Sequence, residues 1–273
     1  MKIDYTLHSH TYRCGHATGD ILDYVSLAIK NGYKIYGVSD HVFLPGITQI
    51  HTRGDYSLLD EYIEKYQEAK EKYKNEIQMY LGFECEYSEA FVDYYKYLLK
   101  EKGFDYLICG QHFGFDKNKN AYTYLGTEEG LLRYKKDILK AIKSGLFLYI
   151  AHPDFFFLST EEVTPIHKEI TKAIIDAAIK YDAVLEVNIH GLFRNHNRDN
   201  RIYLDYPCEY FWKEVAKTNI KVVYGGDFHN PNEIGNGTSK ALFEKLIKNC
   251  HIKFSNIEDI YLKYQDKIKS NFQ

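Results

Sequence analysis

The stretch 77–112, IQMYLGFECEYSEAFVDYYKYLLKEKGFDYLICGQH, decides the fold class. It opens on an apolar run at 77–83, passes through an amphipathic segment at 89–102, and returns after Gly103 to a second apolar run at 105–110. Short apolar runs suit strands and the longer amphipathic segment suits a helix. Gly103 stands where a helix C-terminus favours a residue tolerant of positive φ. Strand, helix and strand in this order imply parallel pairing, because the chain must cross back over the sheet. Each run also ends close to a side chain able to bind metal, Glu84 in the first and His112 in the second.

The same unit recurs on both sides. Apolar runs at 3–8, 35–39, 147–151, 183–187 and 221–225 bring the strand candidates to seven. Helical segments lie near 19–32, 57–74, 127–144, 165–181 and 207–218, with two more at 238–249 and 256–268. This predicts an α/β protein, a distorted seven-stranded TIM-like parallel barrel, with a doubly wound open sheet as the alternative. A chain of 273 residues, 45% hydrophobic and without a Pro/Gly/Ser-rich linker, reads as one domain, 1–273. The polar, irregular segments 42–56 and 189–206 both follow strands and are expected as loops at one mouth.

Composition narrows the function classes. A formal charge of −3 with scattered Lys and Glu supplies no basic footprint, so no nucleic-acid partner is expected, whereas a small phosphorylated substrate is compatible. No N-terminal apolar leader and no long apolar run is present, so no membrane partner and a cytoplasmic location are expected. Cys14, Cys85, Cys109, Cys208 and Cys250 show no CxxC spacing and read as reduced thiols.

The chemistry lies at the strand ends. His8 and His10 end the first strand, His41 the second, Glu84 the third, His112 the fourth, His152 the fifth, Glu186 and Asn188 the sixth, and Asp227 and His229 the seventh. Residues two apart on a strand share a face, so His8 and His10 can meet one ion, and barrel enzymes collect their working residues at the C-terminal ends of several strands. With His16, the candidate metal ligands are His8, His10, His16, His41, Glu84, His112, His152, Asp227 and His229. Imidazoles and carboxylates without thiolates suit Zn²⁺, Mn²⁺ or Fe²⁺ better than Mg²⁺ or Ca²⁺. Nine ligands exceed the needs of one tetrahedral ion and imply two or three divalent ions. Asp40 and Asp154, beside histidines, are expected to orient ligands, and Glu186 either does the same or forms an interior ion pair. Cys14 is expected as a small residue in a tight loop, His167 and His251 as surface residues, and His51, His190 and His196 at the mouth.

The motifs His8-Ser9-His10, Cys14-Gly15-His16, Ser39-Asp40-His41, Gly82-Phe83-Glu84, Gly110-Gln111-His112-Phe113, Ala151-His152-Pro153-Asp154 and Gly226-Asp227-Phe228-His229 resemble the polymerase-and-histidinol-phosphatase (PHP) family, closest to its histidinol-phosphate phosphatase branch. The resemblance implies a distorted (β/α)7 barrel with a trinuclear site. One metal would take His8, His10, Glu84 and Asp227; a second would share Glu84 and add His112 and His152; the third would use His16, His41 and His229. Glu86 is a substitute bridge that matches the motif less well.

Paired metals lower the pKa of a bridging water, and the hydroxide so formed is the expected nucleophile on phosphorus. Asp40 or a metal-bound water would protonate the leaving group. Arg53 and Arg194 are expected to meet phosphate as planar forks, with Arg198 and Arg201 as weaker candidates. One departure stands out: where relatives tend to supply a basic side chain after His152-Pro153-Asp154, this chain reads Phe155-Phe156-Phe157-Leu158-Ser159-Thr160, leaving Ser159 as a hydrogen-bond donor. The expected reaction is metal-dependent hydrolysis of a small phosphomonoester, L-histidinol phosphate foremost. Alternatives are another phosphomonoester, a nuclease or phosphodiesterase, and a non-catalytic metal-binding domain.

Overall fold

Strand and helix alternate as the hydrophobic pattern requires, in a computed structural model that describes residues 3–196 and 203–271. The elements are β1 (Tyr5–Thr6), α1 (Ile21–Lys30), β2 (Ile35–Val38), α2 (Leu59–Tyr73), β3 (Gln78–Cys85), α3 (Val92–Glu101), β4 (Tyr106–Cys109), β5 (Phe113–Phe115), β6 (Ala121–Thr123), α4 (Glu128–Ser144), α5 (Pro165–Tyr181), β7 (Leu185–Asn188), α6 (Ile189–His196), α7 (Glu209–Val215), β8 (Val222–Gly225), α8 (Gly237–Cys250) and α9 (Ile257–Asn271).

β1, β2, β3 and β4 pair in that order, all parallel, and β7 pairs parallel with β8. The expected fifth strand, 147–151, forms no ladder of its own. Ile150 makes single bridges to Cys109 and Leu185, and the Ala151 N–H donates to the Cys109 carbonyl at 2.9 Å while the Glu186 N–H donates to that of Ile150 at 2.9 Å. The ladder stops there because His152 turns at φ 31° into a tight helical turn over Phe155–Phe157. Beyond β8, the Asp227 N–H donates to the His8 carbonyl at 2.8 Å and the His10 N–H to that of Phe228 at 2.9 Å. The sheet is thus parallel and curled, with its C-terminal strand ends drawn together.

Two apolar layers hold it. One lies between sheet and helices, and the other fills the concave side with Leu7, Ile35, Tyr106, Ile108, Leu148, Tyr149 and Val223 against Ile257, Ile260, Tyr264 and Ile268 of α9. α9 sits at the N-terminal strand ends, where the Tyr264 hydroxyl donates to the Leu146 carbonyl at 2.9 Å. That end is therefore plugged, and a ligand must approach from the other.

Three further elements depart from the sequence expectation. β5 and β6 form an antiparallel hairpin just after His112, and the segment 189–206 begins as α6, where the Gly191 N–H donates to the Asn188 side-chain oxygen at 3.1 Å. No helix among the described residues is long and apolar enough to cross a membrane.

Candidate metal centre

Glu84 lies inside β3 with its carboxylate at the meeting point of the strand ends. Its Oε2 is 3.0 Å from His41 Nδ1, 3.4 Å from His8 Nε2 and 3.5 Å from His10 Nε2. Its Oε1 is 2.8 Å from His152 Nε2 and 3.6 Å from His112 Nε2. Asp227 Oδ1 lies 3.0 Å from His10 Nε2 and 3.4 Å from His8 Nε2. His16 and His229 complete the group, their Nε2 atoms 3.1 Å apart, with the His229 ring stacked on His10 at 4.3 Å. All nine candidate residues named from the sequence thus converge. His152 and Asp227 hold φ values of 31° and 50°, conformations that cost about 1–3 kcal/mol each in a non-glycine residue and cluster at functional sites.

The cluster is short of partners in a telling way. His8 Nε2, His10 Nε2, His41 Nδ1 and Glu84 Oε2 are buried without a hydrogen-bond partner. Buried polar atoms are normally satisfied, and a set of lone pairs facing one another is satisfied by cations. Groups of at least three ligand atoms lie within 4.8 Å of one another in His8/His10/Asp227, in His8/Glu84/His152 and in His10/His41/His229, so the residues fit divalent ions.

The outward ring nitrogens are held. Nδ1 of His16 faces the Cys14 carbonyl at 3.0 Å and that of His229 faces the Asp227 carbonyl at 3.0 Å. A carbonyl only accepts, so Nδ1 carries the proton and Nε2 offers its lone pair. Glu186 does the same for His8, its Oε2 2.8 Å from Nδ1, and Glu86 Oε1 lies 3.2 Å from His112 Nδ1. Asn188 donates to both Glu186, at 2.9 Å, and Asp227, at 3.0 Å. Glu186 is therefore an orienting group as well as an interior ion-pair partner.

Electrostatics prepare the donors. Burial, reinforced by His229 and His41, holds His10 well below the usual imidazole range, and burial pushes His41 down to about 4. Burial opposes ionisation of Glu84, yet the surrounding histidines hold it well below the carboxylate range, and Asp227 behaves alike. His8 runs the other way: burial pulls it down, but Glu186, Asp227 and Glu84 together raise it well above the ordinary value. Ionised carboxylates and neutral imidazoles are what metal binding needs.

Other expected residues fall in varied places. Asp40 is buried beneath the 11–16 loop, its oxygens accepting from the Thr11 N–H, the Thr11 hydroxyl and Cys14 Sγ, and burial raises its pKa. It holds the loop that carries His16. Arg53, expected to meet phosphate, is buried instead, and its three guanidinium nitrogens donate to Gln49, Val42 and Glu86. Ser159 is exposed, with its N–H on Asp205 at 2.5 Å. Arg194 and His196 lie on α6 with side chains outside the described residues, and Arg198 and Arg201 fall wholly outside them. His190 lies beside His229 with ring centres 4.6 Å apart, and His51 reaches the Gly15 carbonyl at 3.4 Å. His167, expected at the surface, is buried and caps α5 through Thr164, because Phe156 and Phe157 pack over its ring. Asp154 is buried and accepts from the Cys208 N–H and Trp212 Nε1, and burial pushes it up to about 7. Sequence reasoning missed Tyr206, whose ring is 5.4 Å from both His152 and Phe155, because nothing local marks a loop tyrosine for that contact.

Close approach explains two glycines, Gly110 of the fourth-strand motif and Gly225 at the end of β8. A Cβ at Gly110 would overlap Glu84 Oε1, and one at Gly225 would overlap the Glu186 carboxylate. Gly110→Ala is expected to shift the Glu84 carboxylate and cut turnover about 100-fold, while thermal unfolding shows a cooperative transition. Wild-type turnover in the variant would show that the Glu84 position does not matter.

The PHP domain model matches residues 6–190, which reach from β1 to the start of α6. A protein of Deinococcus radiodurans named probable histidinol-phosphatase is 27% identical over 238 residues, covering 84% of this chain and 87% of its own. Among solved structures, a candidate histidinol phosphatase of Listeria monocytogenes superimposes with a TM-score of 0.69 at 22% identity, over 86% of this chain and 99% of its own. The histidinol phosphate phosphatase of Lactococcus lactis, solved with zinc, L-histidinol and phosphate, does so with a TM-score of 0.66 at 18% identity, over 92% and 95%. The matched span carries six of the seven motifs, and on that ground the chain belongs to the PHP domain family.

Proposed function

We propose that the protein is a metal-dependent phosphatase acting on a small phosphomonoester, with L-histidinol phosphate the leading substrate. The observation that carries this reading is Glu84, whose two carboxylate oxygens face five histidines at 2.8–3.6 Å with one oxygen lacking any hydrogen-bond partner. The assignment of ligands is a trinuclear one: His8, His10, Glu84 and Asp227 for one ion, Glu84, His112 and His152 for a second, and His16, His41 and His229 for a third. We read the curled sheet as a distorted (β/α)7 barrel, with Ile150 as its reduced fifth stave, in one domain over 1–273.

Bound there, divalent Zn, Mn or Fe lowers the pKa of water toward neutrality and neutralises charge building on phosphoryl oxygens. The protein's own part is to fix the donors. Glu186 and Asn188 lock His8 and Asp227, and Asp40 holds the 11–16 loop. His16, His112 and His229 are the more open members, so the phosphoryl group enters on their side. Phe155 and Tyr206 screen His152 from water. Arg194 and Ser159 are proposed for substrate contact.

Two lines support the substrate: the names of curated relatives and the L-histidinol and phosphate held by the Lactococcus lactis protein. The test is a phosphomonoester panel with Mn²⁺ or Zn²⁺, with single-stranded DNA as a separate arm. Highest kcat/KM on L-histidinol phosphate is expected. Preference for another ester by orders of magnitude removes the histidinol reading, and DNA hydrolysis alone removes the phosphatase.

A further inference from the structure

We infer that Arg53 and Glu86 form a positioning pair that fixes His112 as an Nε2 ligand and keeps Glu86 itself out of the metal set. The inference rests on the metal-dependent reading above and concerns residues that reading leaves without a role.

Glu86 follows Glu84 by two residues, so both carboxylates leave the strand on the same side. Glu86 is near enough to bind metal, since its ligand atoms lie within 4.8 Å of those of His41 and His112. What separates the two carboxylates is their partners. Glu84 Oε2 has no hydrogen bond, whereas Glu86 Oε2 accepts from Arg53 Nη2 at 2.8 Å and its Oε1 meets His112 Nδ1 at 3.2 Å. One carboxylate is left open to cations, and the other is committed to a guanidinium and an imidazole.

Arg53 is itself held from every side. Its Nε donates to the Gln49 side chain at 2.7 Å, its Nη1 to the Val42 carbonyl at 2.8 Å, and its backbone N–H to the Gln49 carbonyl at 3.1 Å. The guanidinium lies 5.3 Å from the Phe113 ring centre, beside His112. Arg53 is 3% exposed and Glu86 1%. A buried arginine paired with one carboxylate supplies the compensating charge that Glu86 needs in order to stay ionised without a metal. The fork geometry matters: a lysine offers the charge but cannot reach Gln49, Val42 and Glu86 from one rigid plane. Arg53 thus ties the 42–56 loop, the end of β3 and the start of β5 to one metal ligand.

The experiment is competitive chelator titration of the zinc-loaded full chain for wild type, Glu86→Gln and Arg53→Lys, with steady-state kinetics at limiting and saturating zinc. Loss of a partner behind a ligating histidine typically weakens metal affinity about 10–100-fold, and that loss is expected for a single zinc in both variants. Lost turnover should return with added zinc while the substrate KM stays unchanged. Unaltered zinc affinity in both variants overturns the inference. A raised KM with normal zinc affinity in Arg53→Lys also overturns it, and returns Arg53 to phosphate binding. A wild-type chain that binds no zinc overturns the metal-dependent reading itself, an outcome distinct from the other two.

Discussion

Glu84→Gln is expected to deplete the cluster of metal and to lower phosphoester hydrolysis by at least about 10³-fold, equivalent to about 4 kcal/mol of transition-state stabilisation. The substitution keeps the side chain's volume and removes its charge. One oxygen becomes an amide nitrogen, which has no lone pair for a cation, yet that position faces either His152 and His112 or His8, His10 and His41. Asp227→Ala and His152→Ala remove one ligand each and are expected to follow. Metal content by elemental analysis, taken with kcat/KM, checks all three. A Glu84→Gln protein with wild-type metal content and turnover would end the case for this centre.

Removing the metals should destabilise the protein, increasingly so as pH rises. A ligand at 1,000 times its dissociation constant stabilises the native state by about 4 kcal/mol, so chelation is expected to lower the unfolding temperature markedly. The pH trend comes from the protons that take over. Without metal, Glu186, Asp227 and Glu84 raise the His8 pKa, so a protonated His8 stabilises the fold below about pH 6.5 and that contribution disappears as pH climbs through the raised value. Glu84 and Asp227, both lowered, contribute above the ordinary carboxylate range and lose that contribution in acid. The metal-free chain therefore weakens on the alkaline side, where bound metal takes the place of the His8 proton. The gap between metal-loaded and chelated unfolding temperatures should widen as pH rises above about 7, where the lowered His10 and His41 are neutral in folded and unfolded chain alike and the raised His8 still changes. Calorimetry across that range decides it, and a constant or shrinking gap contradicts the His8 assignment.

The alternation of apolar runs with amphipathic segments was enough to place β1 to β4, β7 and β8 and most of the helices between them, because those signals are local; the fifth run, 147–151, and α6 are the exceptions. Gly103, at φ 73° just past α3, stands as the pattern required. The candidate set was equally legible: histidines and acids at successive strand ends read as possible metal donors from the sequence, and the fold brings all nine into one cluster, five histidines of it around Glu84.

What the linear chain left open is the choice among partners. Glu84 and Glu86 differ little in their neighbourhood along the sequence, and only the arrival of Arg53, 33 positions away, separates ligand from orienting group. The same holds for Ile150, reduced to single bridges by the turn at His152, and for Tyr206, placed on His152 from a distant loop. Residue type and periodicity dictate local conformation and which side chains are candidates for metal binding. Which buried charge is neutralised by which neighbour depends on through-space distances that only the packed chain sets.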